Sequence, residues 1–169
     1  MQFFCRHCGE VIRMTESGVG CPKGCADPFP KFDDADLSEH FKRSQLMCPC
    51  CGACDLDLRL LPALERLRKI AKAEIEIVCA YRCEKANGGA KGVTKLAHLD
   101  GRAADIRIAG KTLQEMYDLA ELVPGFEYGG IGVHDDGTMH VDVRVFKARW
   151  GRVEGKYLGI EGSKLLRRW

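Results

Sequence analysis

Ten cysteines, most of them in closely spaced groups, constrain the fold of this chain more than any other feature. The N-terminal sequence carries no basic leader followed by an apolar stretch and a small-residue cleavage site. We therefore expect synthesis in the cytoplasm without a signal peptide, where thiols stay reduced. Clustered cysteines in a reducing compartment bind metal more often than they form disulfides, so the pattern predicts metal-held local structure.

The first group consists of two short pairs, Cys5 with Cys8 and Cys21 with Cys25. Each pair can supply two thiolates from a tight turn, and two such turns complete a tetrahedral zinc site. The spacing predicts a four-cysteine zinc ribbon. Two alternatives stay open: buried or oxidised thiols, and a site in which His7 replaces one cysteine.

The second group places four cysteines between residues 48 and 54, with two more at residues 79 and 83. Its spacing does not select which thiols would close a tetrahedron. One interpretation is a second structural zinc, and the rival is one or two disulfides formed after release from the cell. The ligands in the first interpretation are Cys48, Cys51, Cys54 and Cys83.

Two domains are predicted: a cysteine-rich ribbon and linker over residues 1–35, and a larger domain over 36–169 that ends in a basic, aromatic tail. Prolines and aspartates between residues 27 and 36 indicate the linker. The first 40 residues hold more acidic than basic side chains, which argues against a nucleic-acid partner. The sequence has no apolar run long enough for a membrane span, and we expect a monomer.

For the larger domain, the sequence predicts an α+β fold built on a small antiparallel sheet with flanking helices. Apolar residues recur at helical spacing in one segment and alternate with polar residues, as in strands, in others. A capping box of Thr112 and Glu115 begins a second helix. The predicted elements are a helix over 57–73, strands over 75–80 and 103–108, a helix over 112–123, and a hairpin of 129–133 with 138–143.

Three residues have side chains suited to a catalytic zinc: His98, Asp105 and His140. A catalytic zinc needs three protein ligands, commonly imidazole and carboxylate, and leaves one position open. His98 is expected on a loop entering a strand, Asp105 on that strand and His140 on the hairpin. Histidines on sheet edges are common without a metal, so satisfied surface side chains are the alternative.

The motif H-x-x-G-x-A-x-D at residues 98–105, then Gly-Gly-Ile-Gly at 129–132 and His-Val-Asp-Val-Arg at 140–144, resembles the zinc D-alanyl-D-alanine carboxypeptidase family, which includes many phage endolysins. Residues 37–41 and 80–83 resemble its entry segment and its Ser-Gly-Tyr-Arg turn. The resemblance covers roughly residues 37–150 and implies a hedgehog-like fold.

By this resemblance, His98, Asp105 and His140 are zinc ligands, and Arg82 holds the substrate carbonyl or the developing oxyanion. With the cysteine groups, the chain would bind one catalytic and one or two structural zinc ions. The resemblance further implies a peptidase that cuts a peptide stem or cross-link of bacterial peptidoglycan. A phage or prophage lysin that acts on the cell wall after release fits the lack of a signal peptide.

The sequence departs from the family where the general base is expected. A carboxylate usually lies three residues before the last zinc histidine, and Gly137 occupies that position here. Asp136 is the first substitute and His134 the second, while Asp142 either serves from the other side or orients a neighbouring side chain. Without a base, the chain would be an inactive cell-wall-binding or protein-binding module, which is the alternative function.

Overall fold

The computed structural model of the protein describes residues 13–15, 18–20, 36–88 and 93–166. The chain divides into two compact units, Met1–Ala35 and Asp36–Trp169. In the first unit, β1 (Arg13–Thr15) pairs antiparallel with β2 (Gly18–Gly20). The predicted ribbon ligands Cys5, Cys8, Cys21 and Cys25, together with His7, lie outside the described residues.

The second unit combines helices with one mixed sheet. Its helices are α1 (Arg43–Leu46), α2 (Leu60–Ala71), α3 (Glu84–Asn87), α4 (Val93–Leu99), α5 (Leu113–Glu121), α6 (Pro124–Glu127) and α7 (Ile160–Ser163). Its strands are β3 (Ile75–Cys79), β4 (Ala103–Ile108), β5 (Gly130–His134), β6 (Met139–Asp142), β7 (Ala148–Val153) and β8 (Lys156–Gly159).

The sheet has six strands in the order β3-β4-β6-β5-β7-β8. Four of its pairings are antiparallel, but β7 runs parallel to β5, with Gly130 opposite Ala148 and His134 opposite Arg152. After β6 the chain passes the end of β5 and returns along its other side. The prediction of an α+β domain is thus confirmed, whereas the purely antiparallel sheet is wrong because the last two strands were not foreseen.

The basic C-terminal segment contributes two strands to the sheet. Strands β7 and β8 form one of its edges, and α7 follows β8. Cations of β7 pair with carboxylates elsewhere in the unit, since Arg149 binds Glu121 and Arg152 binds Asp136. The sequence indicated only a basic, aromatic tail here, because these ion pairs join residues far apart in the chain.

Local signals explain most of the remaining elements. Thr112 and Glu115 form the predicted capping box, with the Thr112 backbone N–H donating to the Glu115 carboxylate at 2.8 Å. Helix α2 is shorter than predicted and ends where Lys72 adopts a left-handed conformation. The predicted helix ends before Pro124, as α5, and Pro124 occupies the first turn of α6, where its missing N–H costs nothing.

The two faces of the sheet have different roles. One face packs against helices through buried apolar side chains, and each such side chain stabilises the fold by about 1.5–3 kcal/mol. This core includes Leu64, Leu67, Ile106, Met116, Ile131, Val133, Met139 and Val141. Successive side chains of a strand point to opposite faces of the sheet. The face opposite the core therefore carries Asp105, His140, Asp142 and His134. In the described part of the chain, no helix is both long and apolar enough to cross a membrane.

Candidate metal and catalytic site

The sheet register brings the three predicted metal ligands together. Asp105 on β4 lies directly opposite His140 on β6, and its Oδ1 atom is 2.9 Å from His140 Nδ1. The same oxygen is 3.4 Å from His98 Nε2. The centroids of the two imidazole rings are 5.0 Å apart, so two nitrogens and one carboxylate oxygen converge on one point.

His98 lies in the last turn of α4, not on the loop that the sequence suggested. The helix gives way to β4 through Gly101, which has φ +64°. A Cβ at this position would lie 1.9 Å from the carbonyl oxygen of Asp55, so only glycine fits. The tight turn holds His98 beside the start of the strand that carries Asp105.

The outer nitrogen of each imidazole is held by a hydrogen-bond acceptor. His98 Nδ1 donates to the Ala80 carbonyl oxygen at 2.7 Å, because a carbonyl can only accept. His140 Nε2 donates to Asp142 Oδ2 at 3.1 Å. Asp142 is fully buried and accepts further hydrogen bonds from the Gly130 backbone and from Arg144. These bonds fix both neutral tautomers and leave the inner nitrogens as acceptors.

The inner imidazole nitrogens and the Asp105 carboxylate oxygen are all hydrogen-bond acceptors. Because acceptors repel one another at short distance, a cation is needed between them. Burial opposes ionisation of His98 and lowers its pKa, which favours the neutral, metal-binding ring. Burial also opposes charging of His140, but the Asp105 and Asp142 carboxylates beside its two nitrogens outweigh burial and raise the pKa of His140. The surroundings of His140 therefore favour positive charge, and the donor set fits a zinc ion.

Cys79 is a neighbour of this site that the sequence analysis did not assign to it. Its sulfur, His98 and Asp105 offer ligand atoms within 4.8 Å of one another. Cys79 lies opposite Asp105 in the β3–β4 pairing, and burial raises the pKa of its thiol. The signal was available only from strand register, which the sequence does not specify.

Arg82 reaches the same site from the turn after β3. Its Nη2 atom is 3.7 Å from Asp105 Oδ2, and its backbone N–H donates to the His98 carbonyl oxygen. The buried Nε atom of Arg82 has no hydrogen-bond partner within the described part of the chain. A partly exposed guanidinium at the edge of the site is suited to binding an incoming oxygen atom.

The three acidic or imidazole candidates for the general base occupy different positions. Asp142 is engaged by His140 and Arg144. Asp136 lies in the β5–β6 turn, where it accepts from Thr138 and pairs with Arg152 at 3.0 Å. His134 lies on the same face of the sheet as His140.

His134 and Asp136 are connected through Thr138. The Thr138 hydroxyl donates to Asp136 Oδ1 at 2.5 Å and lies 2.9 Å from His134 Nδ1. Because the hydroxyl proton is committed to Asp136, the Thr138 oxygen accepts from His134 Nδ1–H. This arrangement leaves His134 Nε2 unprotonated. Burial lowers the pKa of His134 to about 4, so the ring is neutral near pH 7.

Trp150 packs over the site from β7. A Cβ on Gly132 would lie 2.3 Å from Trp150 Cε2, so the indole rests directly on the glycine backbone. The indole also contacts His140 and the Arg144 guanidinium. Trp150, from the aromatic C-terminal segment, therefore packs on the domain.

The second cysteine group differs from the predicted ligand set at one position. Four sulfur atoms lie within 4.8 Å of one another, and they belong to Cys48, Cys50, Cys51 and Cys83. Cys50 thus takes the place that the prediction gave to Cys54. Cys54 is outside the group because it follows the tight turn closed by the hydrogen bond from Cys48 N–H to the Ala53 carbonyl oxygen.

Two comparisons with known proteins agree with this geometry. The profile of the family described as Peptidase M15 matches residues 39–142, which include every residue of the candidate site except Arg144 and Trp150. Over 87 residues, the chain is 36% identical to a Haemophilus influenzae protein named "Probable peptidoglycan L,D-endopeptidase MepK". That alignment covers 46% of this chain and 45% of the relative, so the chain spans just under half the length of the curated relative it matches. The family match covers more than half of the chain, and this chain therefore belongs to the Peptidase M15 family.

Proposed function

We propose that the unit Asp36–Trp169 is a zinc-dependent peptidase that hydrolyses a peptide bond of bacterial peptidoglycan. Membership of the Peptidase M15 family and the name of the Haemophilus relative support this proposal. The observation that carries it is the convergence of His98 Nε2 and His140 Nδ1 on Asp105 Oδ1, with both outer nitrogens anchored.

His98, Asp105 and His140 would hold the zinc ion. When bound, zinc supplies Lewis-acid activation of a water molecule and of the scissile carbonyl. His140 is a better third ligand than Cys79, because its Nδ1 lies 2.9 Å from Asp105 Oδ1 and its tautomer is fixed by Asp142. The Cys79 thiol, with its raised pKa, keeps its proton near pH 7.

His134 is the residue that we assign as proton acceptor. Its Nε2 atom carries a lone pair, and the Asp136 and Thr138 side chains fix the ring by the hydrogen bonds at Nδ1. Asp136 then acts as a positioning residue, since Thr138 and Arg152 already occupy its carboxylate oxygens. Arg82, whose Nη2 atom lies 3.7 Å from Asp105 Oδ2, binds the oxygen on which negative charge develops.

The name of the relative favours cleavage between an L- and a D-amino acid. Carboxypeptidase action on a terminal D-alanine is the competing reaction, and a role in phage lysis stays a prediction from the resemblance. Mass spectrometry of digested muropeptides separates the reactions, because a carboxypeptidase releases free D-alanine and an endopeptidase does not.

The test is digestion of purified peptidoglycan by the full chain with and without a chelator. We expect new amino and carboxyl termini from the wild type, restoration of activity by zinc, and none from His98→Ala. His40→Ala is a matched control, because His40 pairs with Glu65 at the surface. Cys79→Ser is expected to keep the metal. Binding to peptidoglycan without new termini would overturn the peptidase and favour the inactive binding module suggested by Gly137.

A further inference from the structure

We propose that Cys48, Cys50, Cys51 and Cys83 bind a second zinc ion, and that this ion fixes the chain segment bearing Arg82. The metal site is independent of the proposed peptidase function. The effect on Arg82 rests on that function.

The sulfur spacing fits metal coordination better than a disulfide. Cys50 Sγ and Cys83 Sγ are 3.4 Å apart. Sulfurs at the corners of a zinc tetrahedron, with Zn–S bonds of about 2.3 Å, lie roughly 3.8 Å from each other. A disulfide needs about 2.05 Å. All four sulfurs lie within 4.8 Å of one another, a span that a single bound ion can bridge.

The backbone around the group provides the hydrogen bonds that thiolates require. Cys83 N–H donates to Cys48 Sγ at 3.4 Å, and Ala86 N–H donates to Cys83 Sγ at 3.5 Å. Amide donors favour the charged thiolate over the thiol and orient it toward a metal. Both donors lie at the start of α3, so the segment that supplies Cys83 also donates hydrogen bonds to two of the sulfurs.

The loop that carries the other three cysteines is closed on itself. Cys48 N–H donates to the Ala53 carbonyl oxygen at 2.7 Å, and Gly52 N–H donates to the Cys48 carbonyl oxygen at 2.8 Å. Gly52 has φ +69°, a conformation that glycine adopts without strain. A closed turn that presents several thiolates is the usual construction of a structural zinc site.

The ion would join this loop to the segment that forms one wall of the catalytic site. Cys83 follows Arg82 directly, and the segment is already bonded on both sides. Tyr81 N–H donates to the Leu46 carbonyl oxygen, whereas Arg82 N–H donates to the carbonyl oxygen of His98. A metal at Cys83 therefore anchors Arg82 relative to both α1 and the catalytic histidine.

Zinc content of the full chain tests the metal site. We expect Cys50→Ser and Cys83→Ser each to bind one zinc per chain fewer than the wild type. Cys54→Ser is the matched control, since Cys54 lies outside the group, and it should bind as many as the wild type. Equal zinc content in Cys50→Ser and wild type would overturn the site.

A measurement on the wild type covers the case in which a variant fails to fold. Each cysteine is mapped by alkylation and mass spectrometry, with zinc present and after chelation. We expect zinc to protect Cys50 and Cys51 from alkylation, although both are exposed, and chelation to remove that protection. Equal alkylation in both conditions, or a disulfide between two members of the group, would overturn the proposal.

Kinetics on peptidoglycan test the link to Arg82. If the ion positions Arg82, Cys50→Ser lowers kcat about tenfold or more while the zinc at His98, Asp105 and His140 is retained. An unchanged kcat would overturn the link and leave the metal site standing. A wild type without activity but with the protected cysteines would contradict the peptidase and not the second zinc site.

Discussion

The indole of Trp150 lies against the imidazole of His140, with ring centroids 5.2 Å apart. The two residues come from strands on opposite sides of β5, and Gly132 between them leaves the space that the indole fills. The buried Trp150 Nε1–H has no acceptor within the described part of the chain. We infer that Trp150 forms a wall of the proposed substrate site.

Gly132→Ala should displace this wall. The new methyl group would lie 2.3 Å from Trp150 Cε2, so the indole must move away from His140. We expect peptidase activity to fall about tenfold with the metal content unchanged, and the free energy of unfolding to fall by about 1–3 kcal/mol. Tryptophan fluorescence in a Trp169→Phe background reports the movement. Gly159→Ala is the control because a Cβ there meets nothing, and equal activity of the two variants would contradict the role of Trp150.

Asp142→Asn should weaken zinc binding without removing a ligand. The Asp142 carboxylate fixes the His140 tautomer by accepting a hydrogen bond from Nε2–H. Asparagine at this position has no negative charge, so it also leaves the Arg144 guanidinium without its ion-pair partner. We expect zinc affinity to fall roughly 10–100-fold, measured by competition with a chromogenic chelator. Asp118→Asn is the control, because Asp118 lies on α5 and accepts a hydrogen bond from Gln114. This variant should bind zinc as the wild type does. Equal affinity of all three proteins would contradict the anchoring role.

Thr138→Val should separate the roles of His134 and Asp136. The variant keeps the shape of the side chain but cannot connect the Asp136 carboxylate to His134 Nδ1–H. We expect kcat to fall about tenfold with KM and zinc content little changed, and Thr138→Ser to restore activity. Asp136→Asn should lose less than His134→Gln. A larger loss in Asp136→Asn would identify Asp136 as the base.

Glu121 makes stability depend on pH. Hydrogen bonds from Arg149 lower the pKa of Glu121 to about 2, below its unfolded value of about 4.3. The carboxylate therefore stabilises the fold fully above about pH 5, and this contribution is lost as the pH falls toward 2. After allowance for solvent screening, we expect Glu121→Gln to lower the free energy of unfolding at about pH 7 by about 1–2 kcal/mol. Urea unfolding at about pH 7 and pH 3 should show the difference shrinking, whereas Glu154→Gln, at an exposed turn, should show little difference at either pH.

Local patterns predicted the elements whose causes are local. The apolar repeat of α2, the capping box at Thr112 and the alternation of β4 all operate within a few residues, and each element is present. These local predictions succeed because a few consecutive side chains determine the preferred backbone. That His98, Asp105 and His140 belong to one site was implied by the family resemblance and not by a local pattern, and their role as zinc ligands stays a prediction.

Long-range relationships account for what the sequence did not predict. Cys79 and Trp150 reach the site through the registers of β3 and β7, and register depends on the pairing of distant segments. The choice of Cys50 over Cys54 depends on a turn whose closure the cysteine spacing does not reveal. Arg149 donates to Glu121 and to carbonyl oxygens near the end of α6, so it is a structural cation inside a segment that the sequence indicated only as a basic, aromatic tail.

The parallel pairing of β7 with β5 divides the proposed site between two parts of the chain. The three proposed zinc ligands all precede β7 in the sequence, whereas Trp150 lies on β7 and joins the site through the register with β5. Metal binding and substrate contact are thus assigned to separate strands, and a change in one can leave the other in place.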